Sequence, residues 1–145
     1  MTDLFTPMDL RGLVLPNRIW MSAMTRTRAT ADSVATPLMA EYFAQRAAAG
    51  LIVTDCTAVS EQGKGIINGP GIWRKDQVAG WRTVTDAVHA AGGRIYCQVW
   101  HCGRVAHPDM RGGALPVAPS PLPAKGKFKF PDREVDFPVP RAGRG

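Results

Sequence analysis

Gly92-Gly93-Arg94-Ile95-Tyr96-Cys97-Gln98-Val99-Trp100-His101-Cys102-Gly103-Arg104 decides the reading of this chain. A glycine pair opens it, a β-branched and aromatic run of about six residues follows, and Gly103 closes it, which predicts a buried parallel strand over Arg94 to Trp100. Such a strand is normally apolar throughout. Gln98 breaks that rule, and a buried amide without partners costs roughly 1 to 3 kcal/mol, so the position calls for a ligand with an amide-like edge. Polar and aromatic groups at the C-terminal end of a parallel strand are where α/β barrels keep their chemistry.

Working outward from there, Asp76 is expected to cap a helix in which Val78, Trp81, Val84, Val88 and Ala91 keep helical spacing up to Gly92. Before it, Leu51-Ile52-Val53-Thr54-Asp55 is a short apolar run that reads as a second buried strand, with a glycine-rich loop from Cys56 to Arg74. That loop has no Gly-Lys-Ser/Thr and no helix at the spacing of a phosphate loop or dinucleotide fingerprint. An earlier helix starts at Thr36-Pro37, with threonine as N-cap and proline in the first turn, and runs to Ala49, where Gly50 stops it. Arg18 to Ser22 reads as the first barrel strand, and Met8 to Leu15, centred on Arg11-Gly12, as a hairpin.

The order β, α, β, α, β predicts a parallel sheet. Residues 104–145 differ in kind. Eight of the twelve prolines of the chain fall there, which excludes helix over most of it and predicts an extended excursion with one hairpin around Lys125 to Phe137.

Composition narrows the function. With 145 residues, 45% apolar content and 21% charge the chain is an ordinary globular size and type, and no apolar run approaches a membrane span. Met1-Thr2-Asp3-Leu4-Phe5-Thr6-Pro7 lacks the pattern of an export signal, so a cytoplasmic protein is expected. Cys56, Cys97 and Cys102 cannot all pair internally and are expected to be free thiols. Cys97 and His101 as metal ligands would be spread over about 13 Å along a strand, which argues against a metal. Of the net charge of +6, +4 lies from Arg104 onward, and Lys125, Lys127 and Lys129 alternate with Gly126 and Phe128. This strip superficially suggests nucleic acid, but alternating faces of a solvated hairpin explain it, so no nucleic-acid partner is expected.

Three strand ends then meet on one face: Ala23-Met24-Thr25, Cys56-Thr57 and Gln98 to Arg104. Together they suggest a pocket for a flat heteroaromatic ligand. The ordered blocks Leu4-Phe5-x-Pro7, Pro16-Asn17-Arg18-Ile19, Met24-Thr25-Arg26, Tyr42-x2-Gln45-Arg46-Ala47-x2-Gly50-Leu51-Ile52, Pro70-Gly71-Ile72-Trp73, His89-x2-Gly92-Gly93, Gln98-x-Trp100-His101-x-Gly103-Arg104 and Val117-Ala118-Pro119-Ser120 resemble the N-terminal part of the Old Yellow Enzyme family.

That resemblance implies an incomplete (β/α)8 TIM barrel, with residues 1–17 as a capping hairpin, 18–103 as the first three strands and two helices, and 104–145 as an excursion near the active site. It implies FMN as cofactor, NAD(P)H as reductant, and hydride transfer from flavin N5 to an alkene activated by carbonyl or nitro. By position, Thr25 tunes the flavin near O4, and Gln98 binds its pyrimidine edge. Ala23, Met24 and Cys56 give backbone contacts, and Thr25, Ile66 and Trp100 face substrate. Ala23 stands where the family commonly has proline, Cys56 where it has alanine, Arg74 where it has a capping serine, and Ile66 where it places an aromatic. The family's substrate anchors, proton-donating tyrosine and phosphate grip have no counterpart here, and Gly143-Arg144-Gly145 departs from its pattern. The expected catalyst therefore needs a complementary polypeptide carrying the remaining strands. The alternative is a non-catalytic barrel fragment serving as a subunit or interaction module.

Overall fold

In the computed structural model, which describes residues 3–143, the glycine pair does what the sequence predicts. Helix α2 (Lys75–Ala90) ends in a Schellman motif: Gly92, at φ +78°, donates its N–H to the His89 carbonyl, and Gly93 donates to the Val88 carbonyl. Gly93 then packs so closely that an added Cβ would lie 2.8 Å from both Ala47 Cβ and Val88 Cγ1. The chain turns there into a strand running parallel to its predecessor.

The hairpin β1 (Met8–Leu10) and β2 (Leu13–Leu15) turns through Arg11 and Gly12, both with positive φ. The central sheet has the order β3 (Trp20–Met21), β4 (Leu51–Ala58), β5 (Ile95–Trp100), all parallel. Helix α1 (Pro37–Ala44) and α2 pack on one face of it. Their shared core is Met39, Phe43, Ile52, Trp81, Val84 and Val88, with the Phe43 and Trp81 rings 6.4 Å apart. No helix is long and apolar enough to cross a membrane among the described residues.

Several expectations need correction. Only Trp20 and Met21 of the first strand pair with β4, so it is far shorter than Arg18 to Ser22. Helix α1 stops at Ala44 rather than Ala49, because from Arg46 onward the amides bond to carbonyls three residues back, tightening the chain into turns before Gly50. Thr36 does not cap it; its hydroxyl donates to the Arg28 carbonyl at 2.8 Å. Asp76 does not cap α2 either. It pairs with Arg74 at 2.7 Å, while the buried Gln77 amide oxygen accepts from the Trp73 and Arg74 N–H groups.

Strand β4 runs to Ala58, so Cys56 and Thr57 belong to the strand and not to the loop after it. A register shift between Val53 and Cys56 lets pairing resume at Cys56 opposite Gln98. Strand β5 is not buried on both sides: Tyr96, Val99 and Trp100 are exposed, since β5 is an edge strand of this sheet and one of its faces is uncovered.

The excursion contains the expected hairpin, β7 (Lys127–Lys129) with β8 (Glu134–Asp136), after β6 (Val117–Ala118) and before β9 (Arg141–Ala142), which pair parallel. Phe128 is buried against Phe130, Phe137 and His107, while Lys127 and Lys129 face outward, and Lys129 pairs with Glu134 at 3.2 Å. Arg104 ties the excursion down through the Leu122 carbonyl and Ser120 Oγ. The sequence departure at Arg144-Gly145, like Met1-Thr2, lies outside the described residues.

Candidate functional site

At the C-terminal ends of β3, β4 and β5 the polar residues are wired to each other. Thr25 Oγ1 accepts from the Cys56 N–H at 3.1 Å, and one residue further along from Thr25 the Arg26 N–H donates to Asp55 Oδ2, one residue before Cys56, at 3.0 Å. This reciprocal pair of side-chain-to-backbone bonds locks the residues after β3 against β4. Cys56 Sγ then donates to Gln98 Oε1 at 3.0 Å, and the Gln98 N–H donates to Thr54 Oγ1 at 2.9 Å, standing in for a ladder bond where the register shifts. Thr25, in the segment after β3, Cys56 on β4 and Gln98 on β5 thus form one continuous row, each half-buried.

The row leaves specific donors uncommitted. Thr25 uses its oxygen as acceptor, so its hydroxyl proton is free, and Gln98 uses its oxygen, so its NH₂ is free. Both sit at strand ends beside an uncovered face. Asp55 beneath them has no exposed surface, and its Oδ1 has no partner. Burial pushes the Asp55 carboxyl above the ordinary carboxylate value; the Arg26 N–H and the Arg26 guanidinium pull the other way.

Trp100 and Ile66 line the same crevice, together with Cys56, Gly65, Pro70 and Cys102. Trp100 Nε1 donates to Cys102 Sγ at 2.9 Å. The crevice measures about 10 Å³, room for about one water. Burial raises the Cys102 thiol pKa, against the lowering effect of the Trp100 bond. Ala23 is half-buried and Met24 exposed on the segment leading into Thr25. Sequence reasoning assigned no role to Thr54 and Asp55, although a polar pair inside a buried apolar run is the same signal that singled out Gln98.

Parallel strands with a helix layer on one side, an open inner face and hydrogen-bonding residues at the strand ends define the first part of an α/β barrel, not closed by this chain. Residues 3–137 match the NADH:flavin oxidoreductase / NADH oxidase family, and the chain belongs to it, as an N-terminal part of the Old Yellow Enzyme type. A flavin oxidoreductase of Emericella nidulans is 43% identical over 129 residues, covering 86% of this chain and 33% of that protein. The solved old yellow enzyme homologue from Zymomonas mobilis superimposes with a TM-score of 0.93 at 46% identity, covering 97% of this chain and 39% of its own. Morphinone reductase, solved in complex with tetrahydroNAD, gives 0.90 at 45% identity, with 97% and 40% covered. The chain therefore spans between a third and two fifths of these relatives.

Proposed function

We propose that this chain is the flavin-holding first part of an FMN-dependent ene-reductase, which reduces the C=C bond of α,β-unsaturated carbonyl or nitro compounds with NAD(P)H as reductant. The observation that carries the reading is the Thr25, Cys56, Gln98 row with its two uncommitted donors. A flavin presents carbonyl oxygens along its pyrimidine edge, and two fixed N–H or O–H donors, one after β3 and one on β5 with β4 between them, suit that edge. Thr25 donates near O4, and Gln98 donates its NH₂ to the pyrimidine. Ala23, Met24 and Cys56 contribute backbone. Trp100 and Ile66 form one wall for the alkene, with Thr25 close by. FMN, when bound, supplies the hydride at N5; the protein supplies position and electrostatics.

Asp55 and Cys56 hold Thr25 and Gln98 in place before any ligand arrives, which lowers the ordering cost of binding. The groups that anchor and protonate the alkene belong to the remaining strands of the barrel, which β3 and β5 need as neighbours. The open edges of β3 and β5 and the exposed Tyr96, Val99 and Trp100 support that need, since uncovered strand edges and apolar area favour pairing with further strands.

The test is to mix the purified chain with a polypeptide carrying the remaining strands of the barrel. The expected result is a stoichiometric flavin spectrum and NAD(P)H oxidation that depends on an added enone. A colourless, well-folded assembly overturns the flavin reading. Cooperative unfolding and stoichiometric flavin in the chain alone overturn the need for a second piece.

A further inference from the structure

Although Glu61 lies on the same cleft, Arg111 is a buried cation with no ion-paired counterion among the described residues. It is only 6% exposed, its Nε and Nη1 are buried with no hydrogen-bond acceptor, and no ion pair among the described residues includes it. Burial lowers its pKa, yet a guanidinium stays charged in proteins, so the positive charge remains and needs an anion. The side chain lines a cleft of about 590 Å³, within the roughly 300 to 1,000 Å³ of small-molecule sites. Arg141 and Glu61 lie on its other walls, with Ala114 and Leu115 as an apolar patch. Gly112 and Gly113, at φ +60° and +88°, make the turn that follows Arg111.

We infer that this cleft binds a small organic carboxylate, its charged end on Arg111 and Arg141 and its carbon skeleton on Ala114 and Leu115. The charges select the ligand. Two guanidinium groups and one carboxylate on the walls leave one net positive charge, which a monoanion neutralises and a phosphate dianion overshoots. The planar fork of arginine suits a carboxylate in addition. The cleft borders the candidate site, since Gln62 lines it while the next residue, Gly63, lines the Trp100 crevice. A carboxylate held there sits at the edge of the region proposed for the alkene.

The experiment uses the folded protein with its complementary segment present and the 145-residue chain labelled with ¹⁵N. Sodium propionate is titrated against sodium chloride at matched ionic strength while the arginine Nε–Hε signals are followed by NMR. A saturable shift with propionate and none with the neutral propionamide is expected. Arg111→Gln should weaken binding by about ten-fold or more, and the rim variant Arg141→Gln by a few-fold. A shift that fails to saturate overturns the inference, including the case in which a side chain of the complementary segment already fills the cleft. So does an equal response to propionamide, or unchanged affinity in Arg141→Gln together with Arg111→Gln. Because propionamide is compared on the unaltered protein, misfolding of Arg111→Gln does not weaken the test. No flavin is needed for this readout, so failure of the ene-reductase reading and failure of the carboxylate site are separately visible.

Discussion

Replacing Asp55 probes the bond that holds the candidate site together, and two variants separate its charge from its hydrogen bond. The carboxylate has no exposed surface, accepts the Arg26 N–H at 3.0 Å, and leaves Oδ1 without a partner. Asp55→Ala removes a charge-assisted bond and strands the Arg26 N–H, a loss of about 1.5 to 3 kcal/mol, partly offset by no longer burying a charge. A net destabilisation of about 2 kcal/mol is expected at neutral pH. Asp55→Asn keeps an acceptor for Arg26 and removes the buried charge, so its stability should lie within about 0.5 kcal/mol of wild type or above it.

The pH dependence carries the sign. Burial raises the folded-state pKa of Asp55 above its unfolded value, so the protonated group stabilises the fold fully below the unfolded pKa. That contribution is lost as pH rises through the folded pKa. Wild type should therefore lose ground to Asp55→Asn between acid and neutral pH. Urea unfolding of the assembled protein from below the unfolded aspartate pKa up to pH 8, followed by tryptophan fluorescence, measures this directly. If Asp55→Asn is as damaging as Asp55→Ala, or the difference between wild type and Asp55→Asn is flat with pH, the reasoning is refuted.

Thr25→Ala removes one donor from the row and is expected to weaken FMN binding about five-fold and to shift the flavin midpoint potential; fluorescence titration and spectroelectrochemistry check both. Phe43→Ala hollows the core between α1 and α2, where Phe43 is 1% exposed, and should cost about 3 to 5 kcal/mol in denaturant unfolding. Among the thiols, the exposed Cys97 should react with iodoacetamide well before Cys102, whose pKa burial raises; peptide mass spectrometry after timed labelling at pH 7.5 tests the order.

Much of this architecture is legible where the local code is short-range. Gly92-Gly93 forces its own turn, the β7–β8 hairpin follows from alternation of Lys and Phe, and the meeting of Thr25, Cys56 and Gln98 follows from parallel order. The misread positions are those settled by longer-range bonds. Thr36 and Asp76 have capping chemistry, but the Thr36 hydroxyl turns to donate to the Arg28 carbonyl and the Asp76 carboxylate pairs with Arg74. Strand β4 reaches Ala58 only because β5 pairs with it beyond the register shift and, at the bridge to Gly71, the Ala58 N–H donates to the Pro70 carbonyl while the Ala58 carbonyl accepts from the Ile72 N–H.

The sequence by itself determined the family, the order of strands and helices, and which residue types stand at the strand ends, because periodicity, glycine pairs and motif spacing are carried in adjacent residues. Only the tertiary structure decided what those residues bond to. Whether a threonine donates or accepts, whether a glutamine shows its oxygen or its nitrogen, and whether an arginine has a counterion depend on atoms brought close from distant positions. Arg111 makes the point: its sequence surroundings mark a turn, and burial without an acceptor turns it into a candidate ligand site.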